Sequence, residues 1–297
     1  MKLKKILDDY YSSYEYNNLR EETQKHYKYL IQVMLDTEIE GKPLSLYNIP
    51  EITTRIAKLA YNQWCDKGVS TANHVMAVSR LVFNHGIRME MCTLNPFSVV
   101  RKRAAEPRKV VWSREHIQTF LDAAYSDFSS RNIGLIAHMA YEWCQRLGDM
   151  RLLTWDCIDL DNKTVLILQS KRRAEVHLPI SDDLCDMLSQ QKDDFGFQKW
   201  VAPRPNAVGG EYIPYSMYKL PRFARRIMQE AGLPDELRLS DLRRTGTTEM
   251  VEAGVGIGQI MSVTGHANPQ SVKPYMKNTL TSANYALTER QKHVKST

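Results

Sequence analysis

Three side chains near the carboxyl end of the sequence could act together on a phosphate ester. Arg243, His266 and Tyr275 follow one another in this order, and the histidine precedes the tyrosine by nine residues. A phenol has a reference pKa of about 10 and is a weak nucleophile, so it needs neighbours that neutralise the charge of the phosphate it attacks. Arg146 and Lys171 lie upstream and can complete this set. The pattern therefore predicts a site where a tyrosine attacks a DNA phosphodiester.

Five short motifs carry these residues. They are Cys144–Asp149 (CQRLGD, with an acidic residue three positions after its arginine), Gln169–Lys171 (QSK, between two alternating apolar runs), Asp241–Thr245 (DLRRT), Thr264–His266 (TGH) and Lys273–Tyr275 (KPY). In this order and at these intervals, the motifs resemble those of the tyrosine recombinases of the phage integrase family. The resemblance covers nearly the whole chain.

The resemblance implies a role for each residue. Tyr275 would attack the phosphorus, form a 3′-phosphotyrosine and release a 5′-hydroxyl. Arg146 and Arg243 would bind the non-bridging oxygens, since a planar guanidinium suits phosphate. Lys171 would protonate the departing oxygen, and His266 would bind the phosphate or help to remove the tyrosine proton. The arginines would do the work of cations and the covalent link would store the bond energy, so we expect neither a metal nor another cofactor.

Two positions allow a second interpretation. The family usually has histidine three residues before its second arginine, and this sequence has Ser240 there. A serine hydroxyl can donate to a phosphate, but it does not titrate near neutral pH; the favoured interpretation is that Ser240 only caps a helix that begins at Asp241. Tyr285 is a rival nucleophile, although its setting (SANYAL) favours an apolar anchor in the last helix.

The chain of 297 residues is long enough for two domains. Residues 1–100 are predicted to form a helical unit that resembles the family's core-binding domain, with helices over Glu21–Leu35, Ile52–Trp64 and Ser70–Met89. Residues 101–110 would be a basic linker, and 111–297 the catalytic domain with a C-terminal tail. The expected fold is mainly α with a small β-sheet (α+β), in which the two domains form a C-shaped clamp on DNA.

The catalytic domain has recognisable elements. Ser113 is predicted to cap its first helix, and an apolar helix over Asn132–Gln145 would carry Arg146 at its end. Strands over Thr164–Leu168 and Val176–Ile180 would form a hairpin with Lys171 at its tip. A helix over Tyr215–Gly232 would turn Leu220, Phe223, Ala224, Ile227 and Ala231 toward the core.

Basic residues are unevenly placed along the chain. Residues 101–110 carry five basic side chains and one acidic side chain, whereas residues 1–100 carry 12 and 11 and residues 111–297 carry 23 and 22. Such a basic segment between two domains is well placed to follow a phosphate backbone. The candidate DNA contacts are Arg101, Lys102, Arg103, Arg108, Lys109, Lys219, Arg222, Arg226, Lys25 and Arg80.

Composition and the resemblance together set the expected partners and location. No run reaches the roughly 18 apolar residues that cross a bilayer, and five scattered cysteines without metal-ligand spacing suit a reducing compartment. We expect a protein of the bacterial cytoplasm, associated with the nucleoid. Its partners would be double-stranded DNA with specific recombination sites, other copies of the chain in a tetramer, and accessory DNA-bending proteins.

Three other functions fit parts of the sequence. A Xer-type recombinase that resolves replicon dimers is the nearest alternative to an integrase of a phage or mobile element. Because the chain begins directly in the helical unit, we expect no additional arm-binding domain, which fits both. A type IB topoisomerase uses similar residues as a monomer, and a DNA-binding protein with a decayed site is the non-enzymatic alternative. The family further implies that the tail after Thr279 docks on a neighbouring protomer.

Overall fold

The computed structural model describes residues 1–171, 173–276 and 280–296. The chain divides into two compact units, Met1–Arg108 and Lys109–Thr297, and each has its own apolar core. The architecture is mainly helical with small sheets, which confirms the predicted fold class. Among the described residues, no helix combines the length and the apolar character that crossing a bilayer requires.

The first unit is helical. Its elements are α1 (Leu3–Ser12), α2 (Tyr14–Asn17), α3 (Glu21–Leu35), β1 (Glu38–Ile39), β2 (Lys42–Pro43), α4 (Thr54–Lys67) and α5 (Val69–Arg88). Helix α3 has the predicted bounds, and α4 and α5 are shifted by one to three residues. Helix α1 was not predicted, although its buried Leu3, Ile6, Leu7 and Tyr10 have the spacing of one helix face.

Side chains of α4 and α5 fasten the chain that follows α5. The guanidinium of Arg80 donates to the carbonyls of Phe97 (2.9 Å) and Val100 (2.5 Å). The backbone N–H of Arg103 donates to the Tyr61 hydroxyl at 2.6 Å. Arg80 therefore has a structural role in this unit, and the basic segment is held to the first unit as far as Arg103.

The second unit combines eight helices with a three-stranded sheet among its described residues. Its elements are α6 (Arg114–Tyr125), α7 (Phe128–Glu142), α8 (Leu147–Met150), β3 (Ile158–Asp159), β4 (Thr164–Leu168), β5 (Glu175–Pro179), α9 (Asp182–Phe195), α10 (Lys219–Glu230), α11 (Leu242–Glu252), α12 (Ile257–Thr264) and α13 (Leu280–Ser296). The hydroxyl of Ser113 accepts the His116 N–H, which confirms the predicted cap of α6.

Helix α7 runs through the core of this unit. It starts four residues before the predicted Asn132 and ends at Glu142, so the expectation that it carries Arg146 at its end is wrong. The indole N–H of Trp143 donates to the Pro179 carbonyl at 3.2 Å, and Cys144 has a φ of 51°, a left-handed conformation. The apolar sequence continues like a helix, but these two residues turn the chain toward the sheet.

Strands β3, β4 and β5 form an antiparallel sheet in that order. Strand β4 has the predicted bounds and β5 begins one residue earlier than predicted. Val165 and Ile167 point into the core, while Leu166 and Leu168 are exposed. The loop between β4 and β5 is closed by the Gln169 N–H, which donates to the Ala174 carbonyl at 2.9 Å.

Two predictions about the helices near the site are wrong. Helix α10 begins at Lys219, four residues late, and Phe223 is 43% exposed and packs edge-on against Tyr215 instead of entering the core. Ser240 does not cap α11, because a 3-10 turn over Leu239–Asp241 moves the helix start and leaves Asp241 at the N-cap. Ser240 is exposed at the middle of that turn.

Helix α11 comes very close to the end of α7 at Gly246. A Cβ at this position would lie 2.7 Å from the Tyr141 carbonyl oxygen and 2.7 Å from the Cys144 sulfur. The carbonyl cannot move without disturbing α7, so only glycine allows this approach. Since α11 carries Arg243 and the chain after α7 carries Arg146, this contact sets the position of both arginines.

We therefore predict that Gly246→Ala lowers the free energy of unfolding by about 1–3 kcal/mol, because a methyl group overpacks the contact between α7 and α11. Urea unfolding followed by tryptophan fluorescence measures this change. Gly258→Ala is the matched control: Gly258 is also helical and has no heavy atom within 4 Å of its Cβ position. Alanine there should be neutral or stabilise by up to about 1 kcal/mol. Equal effects of the two variants would contradict the proposed close contact.

Candidate active site

Arg146 stands at the N-terminus of α8, where the chain turns toward the sheet. Its Nη1 donates to Oε1 of Gln169 at 3.0 Å and lies 3.8 Å from Oδ2 of Asp149. The side chain is 27% exposed. A neutral amide is its hydrogen-bond partner, and the carboxylate is beyond hydrogen-bond distance, so the guanidinium keeps donors for a further acceptor.

Arg243 lies in the first turn of α11. Its Nη2 donates to the Thr264 carbonyl at 2.9 Å, and its Nη1 is buried without a hydrogen-bond partner among the described residues. Burial and the nearby Arg146 lower the pKa of Arg243 to about 10, so it is still a cation at neutral pH. A buried cationic donor without a partner costs free energy, and an anion bound there would remove that cost.

The hydrogen bonds of His266 identify its tautomer. The Thr264 hydroxyl donates its single proton to the Ile260 carbonyl at 2.7 Å, so it must accept the Nδ1–H of His266, also at 2.7 Å. The Nε2 atom then carries a lone pair, which faces Nη2 of Arg243 at 3.2 Å. His266 thus presents its Nε2 as an acceptor to Arg243.

Gly265 allows the histidine turn to touch the sheet. It ends α12 with a φ of 68°, and a Cβ there would lie 2.5 Å from Nε2 of Gln169. Both the left-handed conformation and the lack of space require glycine. The Thr-Gly-His sequence therefore brings His266 close to the hairpin base.

Asp149 fixes the hairpin next to Lys171. Its Oδ1 accepts the Ser170 N–H at 3.0 Å, and its side chain is 3% exposed. The preceding Gln169 is fully buried. Lys171 itself is exposed on the turn, and Arg172 lies outside the described residues. A long cationic side chain thus extends from a well-fixed base.

Tyr275 reaches the same group of residues from a 3-10 turn over Lys273–Tyr275. The fully buried Val272 anchors this turn. The guanidinium carbon of Arg244 lies 5.1 Å from the centre of the phenol ring, and the ring centres of His266 and Tyr275 are 6.1 Å apart. The half-buried phenol is therefore held near cationic and hydrogen-bonding groups of its own chain.

The structure brings Arg146, Arg243, His266 and Tyr275 close together, and the place where these side chains meet is called the pocket. Lys171 projects from the hairpin whose base contacts that pocket. Ser240 is exposed on the turn before α11. The side chain of Tyr285, the rival nucleophile, lies outside what the structure describes. Within the described residues, no group of three His, Cys, Asp or Glu side chains is placed to hold a metal ion.

The candidate DNA contacts have varied surroundings. On α10, Lys219 is exposed, Arg222 donates to the Tyr218 hydroxyl at 3.2 Å and Arg226 pairs with Glu230 at 2.8 Å. In the first unit, Lys25 pairs with Glu21 at 2.5 Å. Burial and the nearby Arg80 lower the pKa of Lys102. The other candidates in the basic segment are Arg101, Arg103, Arg108 and Lys109, of which Arg108 is half-buried and the rest are exposed.

Three residues that shape this pocket have no function predicted from the motifs: Gln145, Gln169 and Arg244. Gln169 continues the alternation of Val165 and Ile167, and this period of two predicts that it faces inward. A polar residue at a buried strand position is a signal that could have identified it. Arg244 gave no comparable signal, since only the fold places it beside Tyr275.

Comparison with known proteins supplies independent evidence. The chain is 24% identical over 253 residues to the shufflon-specific DNA recombinase of Escherichia coli and 22% identical over 213 residues to the integrase of Salmonella phage P22. These matches take in 80% and 69% of this chain, which spans 61% and 52% of the length of the two relatives. A lambda integrase tetramer bound to a Holliday junction has a similar fold, with a TM-score of 0.75, 19% identity and coverage of 94% of this chain and 78% of that one.

The family assignment depends on the second unit. Residues 111–281 match the phage integrase family over more than half of the chain. All five motifs lie within this stretch, and four of the five expected catalytic side chains meet at one pocket. The chain belongs to the phage integrase family, the tyrosine recombinases.

Proposed function

We propose that this protein is a site-specific DNA recombinase that integrates or excises a phage or other mobile element. It would cleave and rejoin strands through a 3′-phosphotyrosine intermediate, without ATP or a metal. The observation that carries this proposal is the unpartnered, buried Nη1 of Arg243 beside Arg146 and Tyr275. Two guanidinium groups next to a phenol, one of them with a donor that has no hydrogen-bond partner among the described residues, form a site for a phosphodiester.

Each residue then has a task in the reaction. Arg146 and Arg243 bind the non-bridging oxygens and stabilise the extra negative charge of the pentacoordinate transition state. Tyr275 attacks the phosphorus as its phenol loses a proton. His266, whose ring centre lies 6.1 Å from that of Tyr275, would accept that proton on Nε2.

Lys171 acts on the opposite side of the phosphorus. The P–O bond to the 5′-oxygen breaks as the tyrosyl bond forms, and the lysine gives that oxygen a proton because an alkoxide is a poor leaving group. In the reverse direction a 5′-hydroxyl attacks the phosphotyrosine and displaces the phenol. The number of phosphodiester bonds is unchanged, which is why strand exchange needs no nucleotide hydrolysis.

The proposed partners follow from this reaction. Strand exchange joins two duplexes, and the tetramer formed by lambda integrase on a Holliday junction supports four protomers for this chain. The basic segment 101–110 and the exposed face of α10 would contact the DNA backbone, α13 would dock on a neighbouring protomer, and accessory proteins would bend the DNA. The reaction would take place on DNA in the cytoplasm of a bacterial host.

Two of the alternatives are less well supported. The relatives include a phage integrase and a shufflon recombinase, which favours a mobile element over a Xer-type role. The pocket retains both arginines, the histidine and the tyrosine, which argues against a decayed site. Ser240, in place of the usual histidine, would act only as a hydroxyl donor to the phosphate.

We predict that Tyr275→Phe abolishes covalent attachment to DNA and leaves binding nearly unchanged, because only the phenolic oxygen is removed. The substrate is a nicked duplex that carries a site enriched from randomised DNA by the wild-type protein. Denaturing electrophoresis detects the protein-linked strand. Tyr285→Phe is the matched control and should still form the link. The reverse result would assign the nucleophile to Tyr285.

Arg146→Ala and Arg243→Ala should each slow cleavage by about a hundredfold to a thousandfold, because each removes a donor that stabilises the transition state. Binding should change much less, since many phosphate contacts contribute to the binding free energy. Cleavage rates at saturating protein and binding isotherms measure the two effects. Lys163→Ala removes an exposed cation that pairs with Asp182, and it should change neither. If binding and cleavage fell equally, the two arginines would contribute to DNA binding alone and not to stabilising the transition state.

Lys171→Ala should also slow cleavage, and a sulfur leaving group should reverse the defect. A 5′-bridging phosphorothiolate releases a thiolate, whose conjugate acid has a pKa of about 8.5 and which therefore leaves without a proton donor. The measurement compares the two substrates with each variant. Arg146→Ala should remain slow on both, because it acts on the non-bridging oxygens. If Lys171→Ala cleaves the phosphorothiolate substrate as slowly as the ordinary one, the lysine is not the proton donor.

A further inference from the structure

We propose that Gln169 is a positioning residue that holds the two arginines of the pocket in a fixed relation through a relay of buried amides. This inference rests on the proposed function for its effect on cleavage. It assigns to a neutral side chain the task of setting where the two cationic groups point.

The contacts of Gln169 use its whole amide. Its Oε1 accepts from Nη1 of Arg146 at 3.0 Å, and its Nε2 donates to Oε1 of Gln145 at 2.7 Å and to the Thr264 carbonyl at 2.8 Å. The side chain is fully buried. A flipped amide would set its oxygen against two acceptors and its NH2 against a donor, so the orientation is unambiguous.

The Thr264 carbonyl is the point at which the relay reaches the second arginine. It accepts from Nε2 of Gln169 at 2.8 Å and from Nη2 of Arg243 at 2.9 Å, which uses both of its lone pairs. Only a glutamine amide and one peptide carbonyl therefore separate the two guanidinium groups. These two neutral partners thus connect two groups whose like charges repel each other.

Gln145 connects the relay to the backbone by hydrogen bonds. It is fully buried, and its Nε2 donates to the carbonyls of Trp143 at 2.8 Å and Val263 at 2.7 Å. It directly precedes Arg146, and Val263 directly precedes Thr264. The two motifs that supply Arg146 and the histidine turn are thus joined by the same pair of amides.

A side chain of another type could not perform this task. A carboxylate at position 169 would offset the charge of Arg146 and could not donate to the Thr264 carbonyl. An apolar side chain would leave that carbonyl and the Arg146 donor without these bonds, which is costly in a buried site. Gln169 also contacts Gly265, so its length is matched to the space that the glycine leaves.

The experiment compares Gln169→Met with Gln191→Met. Methionine keeps the approximate shape of glutamine and removes its hydrogen bonds. Gln191 is an equally buried glutamine of the same unit, whose amide donates to Asn132 and to the Val201 carbonyl away from the pocket. Gln191 makes two hydrogen bonds and Gln169 makes three, so thermal unfolding midpoints measure how far the two variants differ in stability.

We expect Gln169→Met to cleave on the order of a hundredfold more slowly at saturating DNA, with binding nearly unchanged, because the arginines are misplaced. Gln191→Met should cleave at the wild-type rate. The 5′-bridging phosphorothiolate should not rescue Gln169→Met. Cleavage by Gln169→Met at the rate of Gln191→Met would overturn the proposal, and so would rescue by sulfur, which would place the effect on Lys171.

A readout without DNA separates this inference from the proposed function. In the free protein, the relay restricts the Arg146 guanidinium, so its Nη signals in ¹⁵N NMR spectra should be resolved in wild type and Gln191→Met and averaged in Gln169→Met. Gln145→Met is a second variant. It keeps the hydrogen bond between Gln169 and Arg146, so we expect it to lose only part of the cleavage rate. A wild-type protein that cleaves no DNA would defeat the proposed function, whereas Arg146 signals unchanged in Gln169→Met would defeat the relay.

Discussion

Two guanidinium groups of the same charge face one pocket, and much of the second unit is arranged to keep them there. Repulsion and burial both oppose this placement, as the lowered pKa of Arg243 shows. The hydrogen bonds of the two arginines go to neutral acceptors, the Gln169 amide and the Thr264 carbonyl, while the Asp149 carboxylate is 3.8 Å from Arg146, beyond hydrogen-bond distance. The charges are thereby held in position without being cancelled, and they remain available to a phosphate.

This constraint explains why small residues occur at two contacts. Gly246 lets α11 approach the end of α7, and Gly265 lets the histidine turn touch the hairpin base. At each place a methyl group would displace a segment that carries a functional side chain. Asp149 adds a third link by binding the backbone beside Lys171. Its carboxylate is 3.8 Å from Nη1 of Arg146, which allows an electrostatic attraction without a hydrogen bond.

Local patterns predicted the elements better than they predicted the pocket. The apolar period gave the bounds of α3 and β4, because the side chains that define each element are neighbours in sequence. It misjudged α7, where the turn depends on a bond from Trp143 to Pro179, and the start of α11, where a 3-10 turn displaced Ser240 from the cap. The motifs indicated which residues share the pocket. The amide relay was not predictable, since it joins segments near residues 145, 169 and 264 that meet only in the fold.

Tyr275, the proposed nucleophile, is held by weaker forces than the arginines. Tyr275 stacks with Arg244 at 5.1 Å, a contact worth about 0.5–1 kcal/mol when partly exposed, whereas part-buried hydrogen bonds hold Arg146 to Gln169 and Arg243 to Thr264 and His266. This difference suits the chemistry. Donors that stabilise a transition state act best when they are fixed in advance. A tyrosine that attacks a phosphate, stays attached to it and is later displaced must move between these steps. A firm pocket and a loosely held phenol therefore satisfy two requirements that one rigid site could not.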